Sequence, residues 1–357
     1  MTLPTSSNPI SFSQIESEFG GAPNNNIGAY RISAETYGGK SFSSLDTGIP
    51  TGSNPISWSN FHGKKLNVVI DCHTDCGNNR VNAKTEYTNN NVNCVGSGAL
   101  TSPAASRNAS DSSGHKVYIR VNKTIGSATG SADTCALRTG SFESGTEVNV
   151  DIGSSGKLMG AGGNGGAGAD HGPGTGSGGG DGNGALGIEY SGTAVIVESG
   201  GSLICGYGGG GGGGSAKDED PGADRTAGGG GGGGGAGLPA GSGSSGGNPG
   251  QNNDEVRGGA GGGAGSTPNT NATREGGAGG EGGWNAGEAV GGDGGRGGDT
   301  EGGPQNGGQG RATGEEWGGG GLHGSNGCAI SKASGISWSY GTQSGTVVGT
   351  TNETGVA

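Results

Sequence analysis

The sequence predicts a mainly β protein with much irregular structure: an N-terminal docking segment, a small β-sandwich-like domain, and a distal bundle of polyglycine II helices interrupted by a β-meander. Three observations predict it. Of 95 glycines in 357 residues, 72 fall within 160–327, with unbroken runs at 208–214 and 228–235. Short alternating apolar runs at 116–121 and 147–152 read as strands. Hydrophobic residues make up only 27% and aromatics 4%, too little for one large conventional core.

The first 64 residues contain a repeat. Ser7 to Ile15 (Ser-Asn-Pro-Ile-Ser-Phe-Ser-Gln-Ile) recurs as Ser53 to Phe61 (Ser-Asn-Pro-Ile-Ser-Trp-Ser-Asn-Phe). In each copy Ser-Asn-Pro is turn chemistry, and Ser11 or Ser57 can cap a short helix. Ile10, Phe12, Ile15, Ile56, Trp58 and Phe61 then read as paired docking residues, against the alternative of two plain surface turns. The intervening stretch scatters Tyr30, Ile32, Tyr37, Phe42 and Leu45 among polar residues, a pattern suited to wrapping over a partner.

Residues 65–159 are assigned to the β-sandwich, with strands at 66–70, 116–121 and 147–152 and short edge strands such as 80–87 in the polar interval. Inside the glycine block of 160–327, the runs 186–190, 193–198 and 202–205, separated by Ser-Gly and Ser-Gly-Gly, read as a meander. Residues 328–357 read as a closing hairpin.

Glycine loses more backbone entropy on folding than any other residue and brings no side chain to bury. An ordered glycine block must therefore rest on backbone contacts. The left-handed extended helix, with three residues per turn, points N–H and C=O groups sideways to neighbouring helices. Without side chains those neighbours approach closely enough to bond on several sides. Gly-Gly-X triplets at 276–284 and 291–299 suit edge helices, and the pure runs suit the interior. A flexible linker would not carry Trp284, Trp317, Leu186, Ile188 and Val195 to Val197, and twelve prolines are too few for collagen.

A net charge of −12 and a pI near 4.8 argue against nucleic acid or an anionic membrane as partner. No stretch approaches an apolar membrane span, and the first residues lack the basic start and apolar run of a secretory signal. No cofactor is expected. Six cysteines include Cys72, Cys76, Cys94 and Cys135, a weak zinc set because no paired short knuckle is present; disulfides and buried thiols are the alternatives.

Residues 9–21, from Pro9-Ile10-Ser11-Phe12 to Phe19-Gly20-Gly21 and echoed at 54–58, are similar to an N-terminal motif of the Gly-rich tail and tip proteins of tailed bacteriophages, particularly of marine phages. The order of Lys157 to Gly168, then strands, then polyglycine resembles their distal region. The resemblance implies a virion protein, made in the host cytoplasm and released by lysis. Its N-terminal segment would dock on other tail or fibre proteins. Its glycine region would present loops to a host receptor, a glycan or an outer-membrane protein. A homo-oligomer, with a trimer as one form, suits a fibre component.

Loops held by a rigid scaffold are where recognition concentrates. The presenting stretches are 215–227, 238–257, 266–275, 284–290 and 299–317, carrying Asp218, Glu219, Asp220, Asp254, Glu255, Trp284 and Trp317, with His323 beyond. An exposed tryptophan can stack on a sugar ring, although covering the flank of the stack is the favoured reading of Trp317. A glycan hydrolase would need two carboxylates facing across a cleft, and no such pair is recognisable, so no enzyme is expected. A tail or capsid decoration protein without receptor binding is the alternative. An ice-binding bundle would need regular Ala or Thr faces, which the third positions lack.

Overall fold

The structure is a computed structural model, and it describes residues 3–5, 8–19, 27, 36–37, 40–41, 53–64, 67–72, 80–89, 93–94, 112–128, 135–170, 172–220, 223–248, 259–265, 277–279, 282, 284–285, 289–299, 305–312 and 316–354. The chain begins with helix α1 (Phe12–Phe19), the short strands β1 (Thr36–Tyr37) and β2 (Lys40–Ser41), and a 3-10 turn at Trp58–Phe61. Next come β3 (Asn67–Asp71), β4 (Val81–Asn82), helix α2 (Ala83–Thr88) and β5 (Asn93–Cys94). Three triplets follow: β6 (Lys116–Val121), β7 (Thr124–Gly126), β8 (Cys135–Arg138); β9 (Glu147–Ile152), β10 (Lys157–Met159), β11 (Gly184–Ile188); and β12 (Thr193–Val197), β13 (Ser202–Ile204), β20 (Cys328–Lys332). A last triplet is β21 (Trp338–Gln343), β22 (Thr346–Val348) and β23 (Thr350–Thr354). Between β13 and β20 lie β14 (Ala216–Asp220), β15 (Ala223–Ala227), β16 (Trp284–Asn285), β17 (Ala289–Val290), β18 (Arg311–Ala312) and β19 (Glu316–Trp317).

The triplets stack as rungs of a three-sided parallel solenoid. Its sheets run β21-β12-β9-β6-β3-β5, β22-β13-β10-β7 and β23-β20-β11-β8-β4, and every pairing in them is parallel except β3 with β5. Register stacks like on like. Ile70, Ile119, Val150 and Val195 align across four rungs, Ile125, Leu158, Leu203 and Val347 across the second sheet, and Leu137, Leu186 and Ile330 across the third. All of these belong to one core, and all but Val347 are fully buried.

This corrects three expectations. The described strands within 65–159 are solenoid rungs and not a sandwich. The strands at 184–204 are parallel rungs and not a meander. Those at 338–348 pair with β12 and β13, not with each other as a hairpin. The physical reason is common to all three: alternation marks which face is buried, and it does not say whether the partner is the next strand or one a full rung away. The Ser-Gly turns are corners, and Gly192 and Gly200 adopt φ of 81° and 92°, the left-handed region that glycine enters without a Cβ clash. The predicted edge strand at 80–87 lasts two residues and becomes α2, because the Asn82 side chain accepts the Thr85 N–H at 3.1 Å and caps a helix.

A polar lock fastens α2 to the solenoid flank. Lys84 Nζ donates to both oxygens of Glu143 at 2.6 Å and sits 5.1 Å and 5.4 Å from the ring centres of Tyr87 and Phe142. Burial by itself would raise the Glu143 pKa, yet hydrogen bonds from Lys84 and Ser112 hold it down, from 4.5 to about 2. Nearby, Tyr87 Oη lies 2.6 Å from His115 Nδ1 in the interior.

The duplicated N-terminal motif is a matched pair of caps. Ser11 and Ser57 each receive the side chain of the residue three positions on, Gln14 Oε1 at 2.8 Å and Asn60 Oδ1 at 2.7 Å, on their backbone N–H. Phe12 then meets Trp58 edge to face at 6.0 Å. Five of the six predicted docking residues turn inward: Ile15 and Phe61 are fully buried in the solenoid core, and Ile10, Phe12 and Ile56 pack against it. A segment without a core of its own buries its apolar residues on the adjacent solenoid. Trp58 alone of the six stays largely open, at 45% exposure.

Candidate functional site: the tip of a side-chain-free lattice

Both glycine insertions leave the solenoid at the same corner, between its second and third sheets: residues 160–183 after β10, and 205–327 after β13. In the last rung that corner is the single residue Gly349. The described segments of the insertions form one lattice. The run 208–214 shows its logic, with hydrogen bonds of 2.7–3.0 Å on every side. Gly209 and Gly212 donate to Gly180 and Ser177, Gly210 and Gly213 to Gly233 and Gly230, and Gly211 and Gly214 to Gln305 and Gly308. Its carbonyls accept from Gly166 and Ala169, from Gly295 and Gly292, and from Gly324 and Gly321.

The partner therefore repeats every third residue, and the run has six neighbours, as three-residue-per-turn helices packed hexagonally require. The run 228–235 is enclosed in the same way by segments at 163–169, 207–213, 241–247, 260–263, 277 and 292–298. A β-carbon on Gly211 would fall inside the carbonyl of Gly321, and one on Gly232 inside that of Gly210. Such close approach is available to glycine alone.

At the flanks, where the shell of neighbours ends, side chains substitute for absent carbonyls. Asn164 Oδ1 accepts the Ser242 N–H at 3.0 Å, Asp170 the Asn248 N–H at 2.8 Å, and Asp181 the Ser325 N–H at 2.6 Å. Asp293 accepts from Gly282, and Asn306 from His323, each at 2.9 Å. The irregular third positions have a structural part to play. Some of them seal the edge amides of the next helix, and the signal was there: Asn or Asp at third positions beside a Gly-Gly or Ser segment.

Partner order gives each segment a direction. Those at 160–169, 206–214, 241–247, 277–279 and 305–310 run away from the solenoid, and those at 174–183, 228–235, 259–265, 291–298 and 318–327 return. The outer turns gather as a tip made of two small antiparallel sheets, β15-β14-β19 and β16-β17-β18. Ser215 roots the first of them: its Oγ accepts the Gly174 N–H at 2.9 Å and donates to Gly172. Ala216 and Ala227 close the base of that hairpin, both fully buried.

The predicted site residues separate accordingly. Asp218, Glu219 and Asp220 lie on β14 at the tip, in register with Arg225, Asp224 and Ala223 of β15, so their stretch is a paired strand and not an open loop. Trp284 lies on β16, paired with Val290. Trp317 lies on β19 at the tip, opposite Ala216, and is 52% exposed. His323 is exposed midway along a returning segment, six residues from Trp317 and so roughly 19 Å along the helix, and the structure does not bring it to the tip. Asp254 and Glu255 lie outside the described residues. Segment 259–265 ends, and 277–279 begins, at the solenoid side, as do 291–298 and 305–310. The predicted presenting stretch at 266–275 and the start of 299–317, residues 300–304, lie outside the described residues.

Sequence reasoning missed a groove on the tip's flank. It has a volume of about 740 Å³ and is lined by Val290, Gly291, Gly292, Asp293, Gly308, Gln309, Gly310 and Trp317. Val290 is 41% exposed.

Of the weak zinc candidates, Cys72 and Cys135 are buried wall residues of the solenoid, and Cys135 Sγ lies 3.3 Å from Ser331 Oγ. Cys94 takes part in β5, and Cys76 lies outside the described residues. Among the described residues no three His, Cys, Asp or Glu side chains gather as a metal site.

Residues 80–255 match a family model described as "Phage tail fibre adhesin Gp38". A search of curated proteins finds no match. Among solved structures, the chain is similar to the gp37-gp38 adhesin tip complex of the bacteriophage S16 long tail fibre, at 18% identity over 84% of this chain and 88% of that chain, with a TM-score of 0.33.

Proposed function

We infer that this chain is a structural virion protein of a phage tail-fibre tip, which binds a host-cell surface receptor through the outer end of its glycine lattice. The match of residues 80–255 to the phage tail fibre adhesin family carries the reading. That stretch runs from β4 through the solenoid rungs to β13 and covers the first five lattice segments and the β14–β15 hairpin at the tip. The geometry supports the same division of labour. A stiff backbone lattice holds two small sheets far from the solenoid, and recognition concentrates in turns held by a rigid scaffold.

In this reading the solenoid end, with Trp58 open beside α1, faces the other proteins of the fibre, and the chain acts by binding without catalysis. Immunogold electron microscopy of virions with an antibody against the β14–β15 hairpin is expected to label the ends of the tail fibres. Label on the capsid would replace the reading with a decoration role. Replacing residues 217–226 with a Gly-Ser turn is expected to leave the melting temperature nearly unchanged and to reduce adsorption to host cells at least tenfold. Undiminished adsorption would move the receptor contact off this hairpin.

A further inference from the structure

We propose that the groove between Val290 and Trp317 is a carbohydrate subsite that seats a pyranose ring of a host-surface glycan, a refinement that rests on the receptor-binding reading above. The groove joins the two surface types that a sugar needs. Trp317, half exposed on β19, offers an indole face, and Val290 on β17 a second apolar wall. The C–H face of a pyranose stacks on such a ring, whose π-face is electron-rich.

Asp293 and Gln309 supply the polar side. A carboxylate accepts from hydroxyls, and an amide both donates and accepts. Asp293 is also held in place, because its Oδ1 takes the Gly282 N–H at 2.9 Å. Less side-chain freedom is then lost when a ligand binds.

The floor is Gly291, Gly292, Gly308 and Gly310. A ring there would rest against main chain with no side chain in between. The volume of about 740 Å³ lies within the range of small-ligand sites and exceeds what one ring fills, so the groove takes one residue of a longer chain with its neighbours extending past the open rim. A protein receptor inserting a side chain is the competing occupant. The combination of an open indole, an anchored carboxylate and an amide over a bare floor favours hydroxyl-rich, ring-shaped ligands over an apolar side chain.

The test uses the full-length protein and methyl pyranosides of glucose, galactose, N-acetylglucosamine and mannose, read by saturation-transfer NMR, alongside adsorption of the same protein to host cells. Transfer is expected to the ring C–H protons of at least one sugar. Trp317→Ala is expected to weaken it at least tenfold, and Asp293→Asn, which keeps an acceptor for Gly282, by severalfold. Gln309→Ala, at an exposed rim position, provides a second variant should Trp317→Ala disturb the fold.

No transfer to any sugar, while the wild type still adsorbs to cells, overturns the subsite and leaves the receptor reading standing. Transfer unchanged in both Trp317→Ala and Gln309→Ala also overturns it, since the sugar then binds elsewhere. If the wild type adsorbs to no host cell, the receptor reading falls, and the NMR result still decides the groove.

Discussion

The solenoid and the lattice solve one problem in opposite ways. Both are built from extended segments whose hydrogen-bond partners lie far away in sequence. In the solenoid the segments are held apart by stacked Val, Ile and Leu side chains, and the core is the interior those side chains fill. In the lattice the segments touch directly, and carbonyl oxygens occupy the places where β-carbons would stand. One half is stabilised chiefly by apolar burial, the other by saturating main-chain donors and acceptors in six directions. The difference lies in tolerance: a filled core can shrink by a methyl group at graded cost, whereas a lattice without side chains has no room for even one.

The largest effect is expected from Gly211→Val. The new side chain would collide with the Gly321 carbonyl and push apart helices that exchange hydrogen bonds with six others. The expected cost is on the order of 5 kcal/mol or more, since several buried hydrogen bonds open at about 1 kcal/mol each and backbone strain adds to them. Hydrogen exchange would show the lattice amides losing protection while β6 and β9 keep theirs. Unchanged protection would mean that the lattice is not close-packed.

A smaller loss is expected from Leu186→Ala in the solenoid, between Leu137 and Ile330. The cavity should cost about 2–5 kcal/mol in thermal or denaturant melts and leave the fold intact. A loss equal to that of Gly211→Val would erase the distinction drawn between the two halves.

The smallest effect is expected from pH. Glu143 has its pKa lowered from 4.5 to about 2, so the Lys84–Glu143 lock adds stability that is complete above about pH 4.5 and lost as pH falls toward 2. Because both side chains are partly open to solvent, the effect should be modest. Melting temperatures of wild type and Glu143→Gln should converge on acidification over that window. Parallel curves would place the acid sensitivity elsewhere.

What could be read in advance follows the same divide. The glycine block was legible because glycine runs interspersed with Trp and Ile leave few ordered options, and its three-residue period appears directly in the Gly-Gly-X triplets. Strand positions such as 116–121 and 147–152 were legible from alternation. Their topology was not. The partner of β12 on one side is β9, about 45 residues earlier, and on the other β21, about 145 residues later, because the lattice is spliced into the rung between them. The groove at Trp317 was equally hidden: it needs β17, β19 and the helix ends at 291–293 and 308–310 side by side, and only the folded lattice juxtaposes them.

Since each excursion starts and finishes at one corner of the solenoid, a load applied to the outer turns travels along the helix axes and reaches a shared root. The crosswise main-chain bonds are then strained in shear, many at once, rather than unzipped singly. A particle tethered by this end to a moving cell would hang from something closer to a laminated rod than a string.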